Sequence, residues 1–403
     1  MKKIVLYLLL LFFSNSMSFA QLSGYLSGGY GYNTNPLYSY LMKGSNSPEG
    51  YVELNYDKAY EQNLLNIKYV GGLYTFSNNA DSINFRNYYE HRLSGTYKFV
   101  FPKKIIKKTE DSTDEAETDS TDEEEKFNDS TSRYFDVGIT GGARHDRDIF
   151  KEFNNEGGEF LLSYRCMLSD LLYLRITNIA GYRDYTNIEP LSNANNLFTL
   201  LIGNKNSQNT NYGLYLSAGI KHYTHSFFDT TAVDTSTIIT AQPDNQIQLT
   251  PGIFLSQKIG PTEISPSLHY HYNLRKSVRY IDITTRTSFL NEDLYNDSYS
   301  YEGFDGILKI KQPLLYGIRA ILTLEVQQKK YGYPAWNLAG YQTSDMRHDL
   351  HSSAELYITR YFQLTQTFGC DISIDIGYQR NQSNDGYNDF YVYNYGLYFG
   401  IGF

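Results

Sequence analysis

The chain has 403 residues, a formal net charge of −9 and a polar mean hydropathy. That balance excludes a bundle of transmembrane helices, each of which needs about 20 consecutive apolar residues. It also excludes a nucleic-acid binder, since the surface charge is acidic and no basic stripe appears. Forty tyrosines stand beside one tryptophan and two cysteines. An apolar ring with a wet hydroxyl suits strands and apolar–aqueous boundaries, so the excess points away from an ordinary globular core.

Lys2 and Lys3 precede an unbroken apolar run from Ile4 to Phe13, and Ser18-Phe19-Ala20 before Gln21 offers small residues at a cleavage site. Residues 1–20 are therefore expected to be a cleaved signal peptide, with 21–403 as a single barrel domain. Ten apolar residues are too few for a membrane anchor, and Gln21 gives no site for lipid attachment.

From there the chain alternates with period two. Sixteen segments are expected, with 14 to 18 as the bounds, near 22–32, 49–59, 62–74, 85–100, 133–143, 158–168, 171–182, 195–204, 210–223, 245–257, 262–275, 299–311, 314–328, 345–358, 362–379 and 389–403. The last is the clearest: Tyr391, Tyr393, Tyr395, Leu397, Phe399, Ile401 and Phe403 share one face, and small or polar residues share the other. Segments of ten or more residues with one apolar face suit strands that cross a bilayer, and closure leaves no unpaired edge in lipid. The expected fold is all-β, a transmembrane antiparallel up-and-down β-barrel.

Connections give an independent test. Tight turns such as Ser169-Asp170, Lys258-Ile259-Gly260-Pro261 and Gln312-Pro313 alternate with long polar stretches at 224–244, 276–298 and 329–344. Asn384-Asp385-Gly386 reads as a hairpin turn before a calcium loop. Cys166 and Cys370 fall on outward faces of different strands, which disfavours a disulfide.

The insertion at 103–132 breaks this rhythm. Between Thr109 and Asp129 it carries eleven acids, with Asp122, Glu123, Glu124 and Glu125 consecutive, against one base, Lys126. So dense a charge is expected to stay disordered. A docking arm for a periplasmic protein or a divalent cation is the sharper reading, and folding back on Lys103, Lys104, Lys107 and Lys108 is a third.

The chain resembles the outer-membrane β-barrel proteins of Gram-negative bacteria, porins among them, over residues 21–403. The resemblance rests on the last strand, where the terminal aromatic Phe403 follows Ile401, Phe399, Leu397 and Tyr395 at alternate positions. It implies an outer-membrane location, contact with outer-membrane lipid, and reading of that strand by the barrel-assembly machinery.

The opposite face supplies candidates for a pore lining: Glu90, Arg92 and Lys98, then Glu263, His269 and His271, then Arg319 and Glu325, then Arg347 and Asp349, and last Asp371 and Asp375. Charges of both signs facing inward suit a hydrated interior, and about sixteen strands leave room for a channel. A porin-like channel for small polar solutes, weakly ion-selective, is the first reading, with the stretch 144–157 a candidate constriction. The alternative is a non-conducting scaffold barrel that holds a partner through the acidic insertion. A barrel hydrolase using His269, His271, His348 or His351 as base lacks a nucleophile that the sequence singles out, so no enzyme activity and no cofactor are expected. His269 and His271 share a face that could bind metal, but wall lining is the expectation. Tyr270, Tyr272, Tyr316, Tyr378, Tyr391 and Tyr393 are assigned to an aromatic girdle at the head groups.

Overall fold

The computed structural model describes residues 20–34, 44–60, 63–76, 87–101, 133–146, 154–169, 171–187, 189–204, 209–226, 228–233, 236–241, 244–275 and 301–403. Residues 1–19 of the expected signal peptide, the acidic insertion and the whole of the long connection at 276–298 lie outside them.

The first nine strands are β1 (Ala20–Asn33), β2 (Ser45–Tyr60), β3 (Asn63–Tyr74), β4 (Tyr88–Phe101), β5 (Arg133–Asp146), β6 (Asn155–Met167), β7 (Leu172–Tyr185), β8 (Asn193–Asn204) and β9 (Thr210–Tyr223). Strands β10 (Phe228–Val233) and β11 (Ser236–Ala241) pair only with each other, as a hairpin within a stretch that the sequence pattern reads as a polar loop. Seven more follow: β12 (Asn245–Ile259), β13 (Thr262–Asn273), β14 (Tyr301–Pro313), β15 (Ile318–Trp336), β16 (Gln342–Gln363), β17 (Gly369–Ser383) and β18 (Phe390–Gly402).

All except β10 and β11 form one closed ring of sixteen antiparallel strands, each paired with its neighbour in the chain. The ring shuts where β1 meets β18, from Tyr25 opposite Gly402 to Asn33 opposite Asn394. At the foot of that seam Gly24 and Phe403 exchange two backbone hydrogen bonds of 2.9 Å. Both ends of the ring therefore lie on the rim with the shorter connections, called here the short-turn end.

Period-two alternation decides which side each residue takes. On β17, Ile372, Ile374 and Ile376 are exposed outward while Ser373 is fully buried and Asp371 and Asp375 turn inward. The outer wall shows large aliphatic side chains at mid-height, with Ile139 68% and Leu397 57% exposed. In water each would forgo about 1.5–3 kcal/mol of burial, so this surface is built for hydrocarbon.

Two local expectations change. Gln312 and Pro313 end β14, and the turn lies at 314–317, where Tyr316 (φ 60°) and Gly317 (φ 74°) both adopt left-handed backbone. Tyr316 thus sits in a turn at the short-turn end and not on the lipid face of a strand, as its alternation with Ile318 suggests. The segment 362–379 is two strands' ends around a turn at 364–368, because the Thr365 hydroxyl accepts from the amides of Thr367 and Phe368 and reverses the chain. Within 144–157, residues 144–146 and 155–157 are the ends of β5 and β6, and the stretch between them that was expected as a candidate constriction, 147–153, lies outside the described residues. Cys166 and Cys370 are both free thiols.

Ile139→Arg, at mid-height on the outer wall, is expected to lower stability in lipid vesicles by about 2–4 kcal/mol, read from a urea unfolding midpoint. Thr140→Arg, one residue along and facing inward, is expected to cost under about 1 kcal/mol.

Candidate functional site: the inner wall

The expected inward residues take different partners. Glu90, Arg92 and Lys98 all turn inward from β4, and Lys98 Nζ stands 4.5 Å over the Tyr134 ring. Glu263 is 2.8 Å from Lys311 Nζ. His269 Nδ1 lies 3.6 Å from Asp305 and packs edge-on against Tyr215, whereas His271 is buried beside Gln248 and Thr250. The two imidazoles share a face but are drawn to separate partners. Among the described residues no group of three or more His, Cys, Asp or Glu side chains is placed to hold a metal ion. Arg319 is exposed at the short-turn end, and Glu325 accepts from Gln327 and Ser353. Asp371 accepts from the hydroxyls of Tyr25, at 3.0 Å, and Ser373.

Arg347 and Asp349 are 3% and 1% exposed and form a bidentate pair. The guanidinium lies 4.1 Å from the Tyr331 ring centroid and donates to the Tyr333 hydroxyl at 2.9 Å, while Asn381 and Ser383 donate to Asp349. This desolvated pair acts as a clamp for β15, β16 and β17 near the long-loop end. One connection further, Asp385 accepts from the Trp336 and Tyr387 amides, so the 384–389 loop is tied to the 336–342 loop.

Register adds inward charges that the sequence reading left unassigned. Basic residues cluster on β3 to β7, where Lys68, Arg144, Arg165, Arg175 and Arg183 share the inner face with Arg92 and Lys98. Acids dominate the adjoining sector from β16 through the seam to β2, with Glu355, Asp371, Asp375, Glu49 and Glu53. The inner wall is therefore electrostatically divided. Arg92, Lys98, Glu355, Asp371 and Asp375 already follow from the alternation, and counting parity from the lipid-facing residues of the same strands would have found the rest.

Tyrosines also line the inner face, Tyr398 as its alternation places it and Tyr215 and Tyr173 beyond the residues assigned from sequence. Tyr398 pairs directly across strands with Gly29, Tyr215 with Gly252, and Tyr173 with Gly203. A Cβ at Gly29 would stand 2.0 Å from the Tyr398 ring, and one at Gly252 would stand 2.4 Å from that of Tyr215. These glycines let each ring lie flat on the wall and leave the lumen clear, a cross-strand arrangement that also shields the glycine backbone. Two recesses open in the wall. One, of about 450 Å³, is lined by Glu90, Arg92, Arg144, Glu159 and Arg183. The other, of about 300 Å³, lies at the seam between Glu49, Tyr74, Asp375 and Tyr398.

On the outer face, Tyr270 packs against Phe304 and donates to Glu302, Tyr272 is exposed, and Tyr378 packs on Tyr393, which Tyr391 flanks. These five lie toward the long-loop end, whereas Tyr316, the sixth residue assigned to the girdle, lies at the short-turn end. Tyr395, Leu397, Phe399, Ile401 and Phe403 follow down the outer side of β18, with the Phe403 ring set over Gly24. Asp122, Glu123, Glu124 and Glu125 lie outside the described residues.

No family model and no curated protein matches the chain. Among solved structures it is similar to Pseudomonas aeruginosa OprD (7% identity, 97% of each chain covered, TM-score 0.45) and to Acinetobacter baumannii OccAB2 (7%, 96% and 99% covered, 0.46). It is also similar to P. aeruginosa OccK2, solved in complex with glucuronate (10%, 96% and 99% covered, 0.40). Likeness at this level transfers no solute to this chain.

Asp349→Ala leaves the Arg347 guanidinium buried without its counter-ion and is expected to destabilise the barrel by about 3–5 kcal/mol, read from the denaturant midpoint in vesicles. Replacing both partners with apolar residues, Arg347→Met with Asp349→Leu, is expected to recover most of that loss.

Proposed function

We propose that the chain is a water-filled, porin-like channel of the Gram-negative outer membrane, passing small polar solutes by passive or facilitated diffusion. The observation that carries this reading is the closed sixteen-strand ring with charged and hydroxyl side chains inside and aliphatic ones outside. A ring of eight strands is filled by its own side chains, and one of sixteen is wide enough for water. Charges left without water would be very costly, so the inner wall calls for a hydrated lumen. Both signs are present, which supports weak net ion selectivity. The histidines read as wall, since His269 is engaged by Asp305 and Tyr215, and His271 by Gln248 and Thr250.

The same reading makes residues 1–20 an export signal and the outward residues of β18 the strand read by the assembly machinery. It leaves the acidic insertion as a solvated arm on the periplasmic side, available to a periplasmic protein or a divalent cation.

Reconstitution of residues 21–403 in a planar bilayer is expected to give stepwise single-channel currents. Silence at high protein load would overturn the channel and leave the scaffold barrel. In the conducting protein, Arg92→Glu with Arg183→Glu is expected to shift the reversal potential under a salt gradient toward cation preference, because both guanidinium groups face the lumen.

A further inference from the structure

Several inward acids are neutralised by a neighbour. Glu53 lies 2.7 Å from Lys68 Nζ, Glu263 2.8 Å from Lys311 Nζ, and Asp349 is clamped by Arg347. The recess at the seam is different. Glu49 and Asp375, which both line it, have no basic partner among the described residues. Asp375 Oδ1 and Asn394 Oδ1 are buried acceptors that receive no hydrogen bond there. Asn394 Nδ2 reaches only the other Asp375 oxygen, at 3.5 Å. Two carboxylates without a basic partner, one of them with an orphaned oxygen, and the orphaned Asn394 carbonyl beside them carry a standing cost, which a donor of positive charge would relieve.

Much of the rest of the lining is aromatic. Tyr398 lies on the backbone at Gly29 and Gly396, where added Cβ atoms would stand 2.0 and 2.5 Å from its ring, so one face is set on the wall and the other turns to the recess. Tyr74, Phe76 and Tyr88 add further rings, beside the polar Asn33 and Ser47. The same aromatic wall already receives one cation from within the chain, the Arg144 guanidinium 4.0 Å over the Tyr88 ring. A bare metal ion would need several convergent oxygens, and no such group exists among the described residues. Aromatic faces with carboxylates suit a soft, poorly hydrated organic cation instead.

We propose that the recess bounded by β1, β2, β3, β4, β17 and β18 is a subsite for organic ammonium groups, with Glu49 and Asp375 supplying charge and Tyr398 the principal aromatic face. Its volume of about 300 Å³ accommodates a single small ammonium head group. The inference deepens the channel reading, because it names a solute class that this wall would retain in transit.

The test uses the refolded 21–403 protein in detergent, with choline chloride as probe and its uncharged isostere 3,3-dimethylbutan-1-ol as control, binding followed by calorimetry. Choline is expected to bind saturably and the alcohol not to bind. Glu49→Gln with Asp375→Asn is expected to weaken choline at least about tenfold, as is Tyr398→Leu, while Tyr398→Phe keeps the affinity. Heat-modified gel mobility establishes that each variant forms the barrel. Equal binding of the two probes, or unchanged choline affinity in the double carboxamide variant, overturns the subsite. Binding here needs no conduction, so a protein that binds choline yet is silent in the bilayer contradicts only the channel.

Discussion

The structure depends on one constraint: every strand edge must be hydrogen-bonded, because the outer surface is built for a medium that offers no partners. In hydrocarbon each unsatisfied backbone group costs several kcal/mol, so an open sheet of this length could not persist. The β1–β18 seam meets that constraint, and its position in the chain gives the terminal residues weight beyond their number. Phe403 closes the backbone ladder with Gly24, sets its ring over the same glycine, and ends the outward apolar row of β18. Closure fixes sixteen inner faces at once, and the charge pattern of the lumen follows from register alone.

Within the ring, tyrosine has two assignments. Outside, rings such as Tyr378 and Tyr393 pack together toward the long-loop end, where an apolar body with a wet hydroxyl suits the head-group layer. Inside, Tyr398, Tyr215 and Tyr173 lie over the glycines paired with them, and Tyr25 uses its hydroxyl on Asp371. A glycine in the middle of a strand is ordinarily a weakness; here the opposite ring covers it, and the ring is held out of the water path. The Arg347–Asp349 clamp does for the long-loop end what the seam does for the other, holding three strands through charges that are fully desolvated.

Much of this was legible in the sequence, because a barrel strand carries its environment in the parity of its residues. The sixteen expected segments match the sixteen ring strands, and the inward candidates from Glu90 to Asp375 were named from alternation. The turns were harder. Gln312-Pro313 has turn composition, yet Pro313 pairs with Arg319, and the reversal uses Tyr316 in a left-handed conformation that no residue type announces. Thr365 and Thr367 look like strand residues because they are β-branched, but a hydroxyl at Thr365 caps a turn instead. How the inward tyrosine rings lie was illegible for a different reason. Whether a ring can lie flat depends on the residue opposite it, and Gly29 is more than 350 positions away from Tyr398 in the chain.

Alternate access of water and lipid along one strand tests the account most directly. In a background where Cys166 and Cys370 are serine, single cysteines placed in turn at positions 320–327 of β15 would be exposed to a charged, membrane-impermeant thiol reagent after reconstitution in vesicles. The structure predicts labelling at 321, 323, 325 and 327, which face the lumen, and protection at 320, 322, 324 and 326, which face lipid. Uniform protection would mean a dry interior, and uniform labelling would mean a barrel that does not sit in the membrane; either result would contradict a hydrated lumen enclosed by a lipid-facing wall.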